Sequence, residues 1–214
     1  PKSWQPNEIV PVVFIANSVF LSVQDSQLEA FAGNVVNKVL SLARDFSSSI
    51  PEVQLDCDWT PRTRDRYFRF LKTVSQKLES KQMEVSATVR LHQFRDRHLT
   101  GIPPVHRGVL MAYQTGSPKE PESDNSILEL ALVKGYVAGV EPYPLHLDIA
   151  LPLFSWAVQF DRNGRFVRLL QGVTSAELDQ TQTYSRRADR VYQARDDTML
   201  RGKRVMAGDF IELE

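Results

Sequence analysis

The sequence of 214 residues predicts an α/β fold, a (β/α) barrel of the TIM type, from three observations. Short β-rich runs alternate with helical patterns in the order βα, βα, β-loop-β, α, β, which is the order of a parallel sheet with crossover helices. The strands are greasy on one face only. Val53, Leu55, Cys57 and Trp59 alternate with Gln54, Asp56, Asp58 and Thr60, and Val85, Ala87, Val89 and Leu91 alternate with Glu84, Ser86, Thr88, Arg90 and His92. Side chains along a strand point to opposite faces with period two. An open doubly wound sheet is covered by helices on both faces and needs both to be apolar. A barrel packs helices outside only, and its lumen can hold paired polar groups. Third, a chain of this length buries about 70% of its unfolded surface. It needs no disulfide framework, and its one cysteine, Cys57, could not supply one.

The elements follow in order. Residues 9–17 (IVPVVFIAN) are a short β-branched run and read as the first strand. Residues 24–46 read as a helix, with Leu28, Phe31, Ala32, Val35, Val39, Leu42 and Phe46 at helical spacing and Asp25 or Ser26 as its cap. Residues 53–59 are the second strand. The helix over 62–78 carries Tyr67, Phe70, Leu71, Val74 and Leu78 on one stripe, behind Thr60 as N-cap and Pro61 at the first helical position. Strands at 84–91 and 108–113, a helix at 126–140 and a strand at 146–154 continue the pattern, with an exposed polar loop at 117–125. Asp161, Arg162, Asn163 and Gly164 are a turn signal between alternating runs. The expected organisation is a single barrel domain over 1–214 with a hairpin excursion near 156–170. A charged helical part covers 174–204, and a last strand lies at 208–213.

Charge and composition exclude several functions. With 26 basic and 26 acidic side chains the chain has no broad electrostatic footprint, so nucleic acid is not an expected partner. No apolar run approaches the roughly 18–20 residues of a membrane span. Gly-rich phosphate loops and Gly-x-Ser-x-Gly elbows are absent from the sequence. His92, His98, His106 and His146 are the only histidines, and no metal or other cofactor is expected. The sequence starts at Pro1, which suggests a trimmed chain; localisation stays open, with export after removal of a leader as one option.

Three segments carry a resemblance. Gln54-Leu55-Asp56-Cys57-Asp58-Trp59-Thr60, then Met111-Ala112-Tyr113-Gln114, then Leu151-Pro152-Leu153-Phe154-Ser155-Trp156 resemble the fourth, sixth and seventh strands of chitinase-like glycosidase barrels. With Val10-Pro11-Val12-Val13-Phe14-Ile15 and Ser86-Ala87-Thr88-Val89-Arg90-Leu91-His92-Gln93 added, residues 9–170 resemble a bacterial family of uncharacterised glycosidase-like barrels. The chitinase-like pattern ends its fourth strand in Asp-x-Asp-x-Glu. The Glu is the general acid, and the second Asp orients the substrate's own acetamido nucleophile, an exception to the two-carboxylate scheme. Asp56 and Asp58 match the two Asp positions, but the acid position is Thr60, and a hydroxyl cannot protonate a leaving oxygen near neutral pH. The Asp of the sixth-strand Met-x-Tyr-Asp run is Gln114 here. As the third strand of such a barrel, residues 9–17 should have two strands before them. The chain then holds about six of eight, an incomplete barrel.

The site expected from this reading has Asp58 as acid/base candidate and Asp56 second. Tyr113, Gln114, Arg90 and His92 would position substrate, and Trp156 and Trp59 would offer ring faces. Glu120, Glu122 and Asp124 lie in the loop after the Tyr113 strand, where barrels keep active-site groups. Asp148, at the start of its strand, reads as a pairing group. Three functions stay open. The first is a glycoside hydrolase acting on an oligo- or polysaccharide. The second is a non-catalytic glycan-binding barrel, favoured by Thr60 and Gln114. The third is a structural or assembly subunit whose polar lumen is an inert charge network. The expected partner is a carbohydrate ligand, with a homo-oligomer if an apolar barrel edge is exposed.

Overall fold

A computed structural model of the chain describes residues 8–44, 48–119 and 125–214. Phe46, Glu120, Glu122 and Asp124 lie outside the described residues. The fold divides into two compact units, Pro1–Met111 with Tyr136–Ala150, and Ala112–Gly135 with Leu151–Glu214.

The first unit runs β1 (Val12–Phe14), α1 (Asn17–Ser22), α2 (Leu28–Ala43), β2 (Glu52–Asp56), α3 (Arg64–Glu79), β3 (Glu84–Arg90), α4 (Leu91–Arg95), α5 (Arg97–Thr100), β4 (Arg107–Met111) and β5 (Leu147–Ala150). The strands form one sheet in the order β1-β2-β3-β4-β5, and every pair is parallel. A doubly wound sheet reverses its strand order at a switch point. Here each strand pairs with the next in sequence, as around the wall of a (β/α) barrel, and the architecture is a partial barrel of that kind.

Register places the two faces predicted from alternation. Leu55 pairs with Val13 and Ala87, on the side where Val53, Leu55, Cys57, Trp59, Val85, Ala87 and Val89 are all buried. α2 contributes Leu28, Ala32, Val36 and Val39 to the core, and α3 contributes Tyr67, Phe70, Leu71, Val74 and Leu78. An aromatic cluster fills the seam: Phe20 packs edge-on to Tyr67 at 5.2 Å and Phe70 at 5.4 Å, and Trp59 stacks on Tyr67 at 5.4 Å. The helix expected behind Thr60 starts at Arg64, three residues after Pro61. Thr63 makes the turn instead. Its hydroxyl accepts the Thr60 N–H at 2.9 Å and donates to Asn17 Oδ1 at 2.6 Å, tying the loop to α1.

Helix α6 (Leu130–Val137) runs across the boundary between the units. The second unit holds β6 (Trp156–Phe160), β7 (Phe166–Gln171), α7 (Ser175–Asp179), β8 (Tyr184–Ala188), β9 (Val191–Ala194), β10 (Thr198–Leu200), β11 (Lys203–Val205) and β12 (Phe210–Leu213). Five of these strands form an antiparallel sheet in the order β7-β6-β12-β9-β8. Two expectations are corrected. The segment 174–204 is helical only over Ser175–Asp179 and is otherwise strand. Its arginines mask a period-two pattern, in which Tyr184, Tyr192, Ala194, Leu200 and Val205 turn into a core with Ala157, Leu170 and Ile211. The last strand pairs antiparallel with β6 and β9 and is no part of the parallel sheet.

At the β6–β7 turn, Asp161 Oδ1 accepts the N–H groups of Asn163 at 2.8 Å and Arg165 at 2.9 Å. The backbone bond from Arg165, then that from Asn163, holds the Asp161 carboxyl below its ordinary value. A depressed native value means the contribution is present at neutral pH and is lost as pH falls through it. Replacing Asp161 with Asn is therefore expected to lower stability at pH 7 and to leave it nearly unchanged at strongly acid pH, read by denaturant titration at both. Removing the ring at Trp59 (Trp59→Ala) is expected to cost about 3–5 kcal/mol in the same assay.

Candidate functional site

The polar face of the parallel sheet is built in layers. Nearest the strand starts, Glu52 of β2 is almost fully buried. It accepts the Ser86 hydroxyl of β3, and the Arg107 guanidinium of β4 reaches it at 2.6 Å. The same guanidinium meets Asp148 of β5 at 2.6 Å. Asp148 is thus the pairing group its position implies. Glu52, with a smaller contribution from Asp148, holds Arg107 more firmly protonated than usual. One step up, Thr88 Oγ1 donates to Asp56 Oδ1 at 2.6 Å.

At the carboxyl ends stand Asp58 and Arg90. Arg90 Nε donates to Asp58 Oδ1 and Nη2 to Oδ2, the second at 3.2 Å, a two-point fork. The Asp58 side chain is 48% exposed and that of Arg90 only 18%. The Thr60 hydroxyl lies 3.3 Å from that of Thr63. The sheet thus brings Asp56, Asp58 and Arg90 to one polar face, as alternation predicts.

Two expected site residues go elsewhere. His92 does not continue the polar face, because β3 ends at Arg90 and His92 is exposed on α4. The strand stops there because the Gln93 side chain accepts the Arg90 N–H at 2.8 Å and starts a helical turn. Trp59 is fully buried and offers no ring face to a ligand. Its indole donates to Thr100 O at 2.9 Å, and its own carbonyl accepts from Gln93 Nε2 at 2.9 Å. Cys57, beside it, is buried, and burial first, then the charges of Asp58 and Asp56, pushes its thiol up to about 12. Among the described residues, no group of three or more His, Cys, Asp or Glu side chains is arranged to hold a metal ion.

The other expected residues belong to the second unit. Tyr113 packs edge-on to Phe154 at 5.9 Å, and Phe154 lies 5.2 Å from Trp156. Phe154, Ser155, Trp156, Gln171 and Gly172 line a depression of about 670 Å³. Gln114 is exposed with a left-handed backbone (φ 56°), a conformation a non-glycine residue adopts rarely. Its N–H donates to Ile127 O at 2.6 Å, which holds the turn. The Trp156 indole N–H donates to Glu214 Oε2 at 2.6 Å, and the Ser126 hydroxyl donates to the same oxygen. Sequence reasoning missed Gln171 and Glu214, since only strand pairing puts them beside Trp156.

No protein-family model and no curated protein matches the chain. Solved structures do. The chain is similar to ydhD of Bacillus subtilis (TM-score 0.56, 14% identity, 95% of this chain and 72% of that one). It is similar to the spore cortex-lytic enzyme SleL of Bacillus cereus (0.54, 16%, 95% and 49%). It is also similar to a chitinase of Chromobacterium violaceum (0.55, 12%, 94% and 66%). The fold is that of the chitinase-like barrels. The chain spans about half of SleL and about two thirds of the chitinase.

Burial and the raised thiol pKa together make Cys57 inert. A thiol reagent at pH 8 is expected to label the native protein at a small fraction of the rate seen in denaturant. Equal rates would contradict the packing described here.

Proposed function

We propose that the chain is a carbohydrate-active protein whose second unit recognises a glycan through the Phe154 and Trp156 rings. The observation that carries this is the aromatic-lined depression with Gln171 at its side. Sugar rings present apolar C–H patches to π faces and polar groups at their rim, so a ring plate with an amide beside it suits them. The likeness in fold to a chitinase and to a spore cortex-lytic enzyme makes amino-sugar polymers the first class to test.

A second reading, glycoside hydrolysis by Asp58 and Asp56, is favoured by the position of Asp58 at a strand end with its side chain half exposed. Against it, both Asp58 oxygens engage Arg90, and Thr60 stands where the resemblance to chitinase-like barrels implies an acid. Recognition without cleavage is therefore the function the geometry supports best. Asp58 and Arg90 then form a fixed polar pair on the sheet, with Asp56 below them.

The test is incubation of the protein with oligosaccharides of N-acetylglucosamine and glucose. Products are followed by mass spectrometry and binding by calorimetry. The expected outcome is binding without cleavage, weakened at least tenfold in Trp156→Ala. Cleavage that vanishes in Asp58→Ala would establish the hydrolase reading instead. Neither binding nor cleavage would leave the structural-subunit reading.

A further inference from the structure

Three side chains share one row across the antiparallel sheet. Gln171 of β7 is the register partner of Trp156 on β6. On the other side, Leu213 of β12 pairs with Ala157, and the next residue, Glu214, donates its N–H to Trp156 O at 2.9 Å. Ala157, Leu170 and Leu213 belong to the core side. Period two therefore puts Gln171, Trp156 and Glu214 together on the opposite face.

Within that row Trp156 is held at its edge. Its indole N–H and the Ser126 hydroxyl both donate to Glu214 Oε2, in the 2.6 Å contact and the shorter one. A carboxylate acceptor makes each bond stronger than a neutral one would. Glu214 makes no ion pair among the described residues, so its carboxylate is committed to this grip. The ring cannot turn about its side-chain torsions without breaking the bond, and Phe154 packs against it at 39°. A ligand that stacks on Trp156 then meets a plate already oriented, with less ordering entropy to lose on binding. Gln171 lines the same depression and is exposed to solvent.

We propose that Glu214 is a positioning residue that aims the Trp156 ring, and that the Gln171 amide reads the hydroxyl or acetamido rim of a sugar stacked there. This rests on the reading of the second unit as a glycan-recognising unit.

The test uses the full chain labelled with ¹⁵N, with N-acetylglucosamine tetrasaccharide as the probe. The Trp156 indole resonance is assigned by its loss in Trp156→Phe, and the unchanged Trp59 indole reports an intact fold. Glu214→Ala is expected to shift the Trp156 resonance, speed its solvent exchange and weaken probe binding about tenfold, the scale of one charge-assisted hydrogen bond. Glu214→Gln keeps an acceptor oxygen and is expected to restore most of both. Gln171→Ala is expected to weaken binding with the indole resonance in place. An unshifted indole in Glu214→Ala overturns the proposal, and so does a shifted indole with unchanged affinity. A wild-type chain that ignores the probe overturns the glycan reading, while a shifted indole in Glu214→Ala still upholds the grip on Trp156.

Discussion

The parallel sheet depends on the sharing of one guanidinium. Arg107 of β4 meets Glu52 of β2, across the intervening β3, and Asp148 of β5, while Glu52 also takes the Ser86 hydroxyl of β3. Four of the five strands are thus tied in one polar layer. A buried carboxylate without such partners would cost several kcal/mol. The helices α2 and α3 satisfy only the other face. The sheet is therefore apolar towards the helices, while its other face sets charges paired layer by layer among Val12, Phe14, Val109 and Met111. Asp56 with Thr88 and Asp58 with Arg90 repeat the rule towards the carboxyl ends. Solvent is met at both ends of the layers, at Asp148 and at Asp58, each with its side chain nearly half exposed.

The same pairing underlies the proposal of recognition without cleavage. A carboxylate whose two oxygens accept from one guanidinium is a fixed acceptor, well suited to hold shape and charge. A proton donor to a leaving group has to present a free O–H to it. The Thr60 hydroxyl, set against Thr63, does not replace one. In the second unit the polar partner acts on an aromatic ring instead of a charge. Glu214 fixes Trp156 beside a depression of about 670 Å³.

Much of this was legible in the sequence where one pattern acted alone. The alternation on residues 53–60 and 84–90 told which face was polar, and the stripe Tyr67, Phe70, Leu71, Val74 and Leu78 told which side of α3 is buried. It failed where local chemistry cut a pattern short. Gln93 captures the Arg90 N–H, so His92 leaves the strand. Thr63, bonded to Asn17, delays a helix that Thr60 and Pro61 would start. In residues 174–204 the outward arginines imitate a solvated helix, and only the buried tyrosines reveal strands. Glu214 was invisible for another reason. Its partners Trp156 and Ser126 are 58 and 88 residues away, a pairing that no local spacing encodes.

The most direct measurement is a crystal structure of the chain with an N-acetylglucosamine oligosaccharide bound. The account expects a sugar ring stacked on Trp156 with a polar substituent on the Gln171 amide, and an uncleaved oligosaccharide. A sugar seated elsewhere with the Trp156 face bare would contradict it, as would a glycosyl group severed at Asp58.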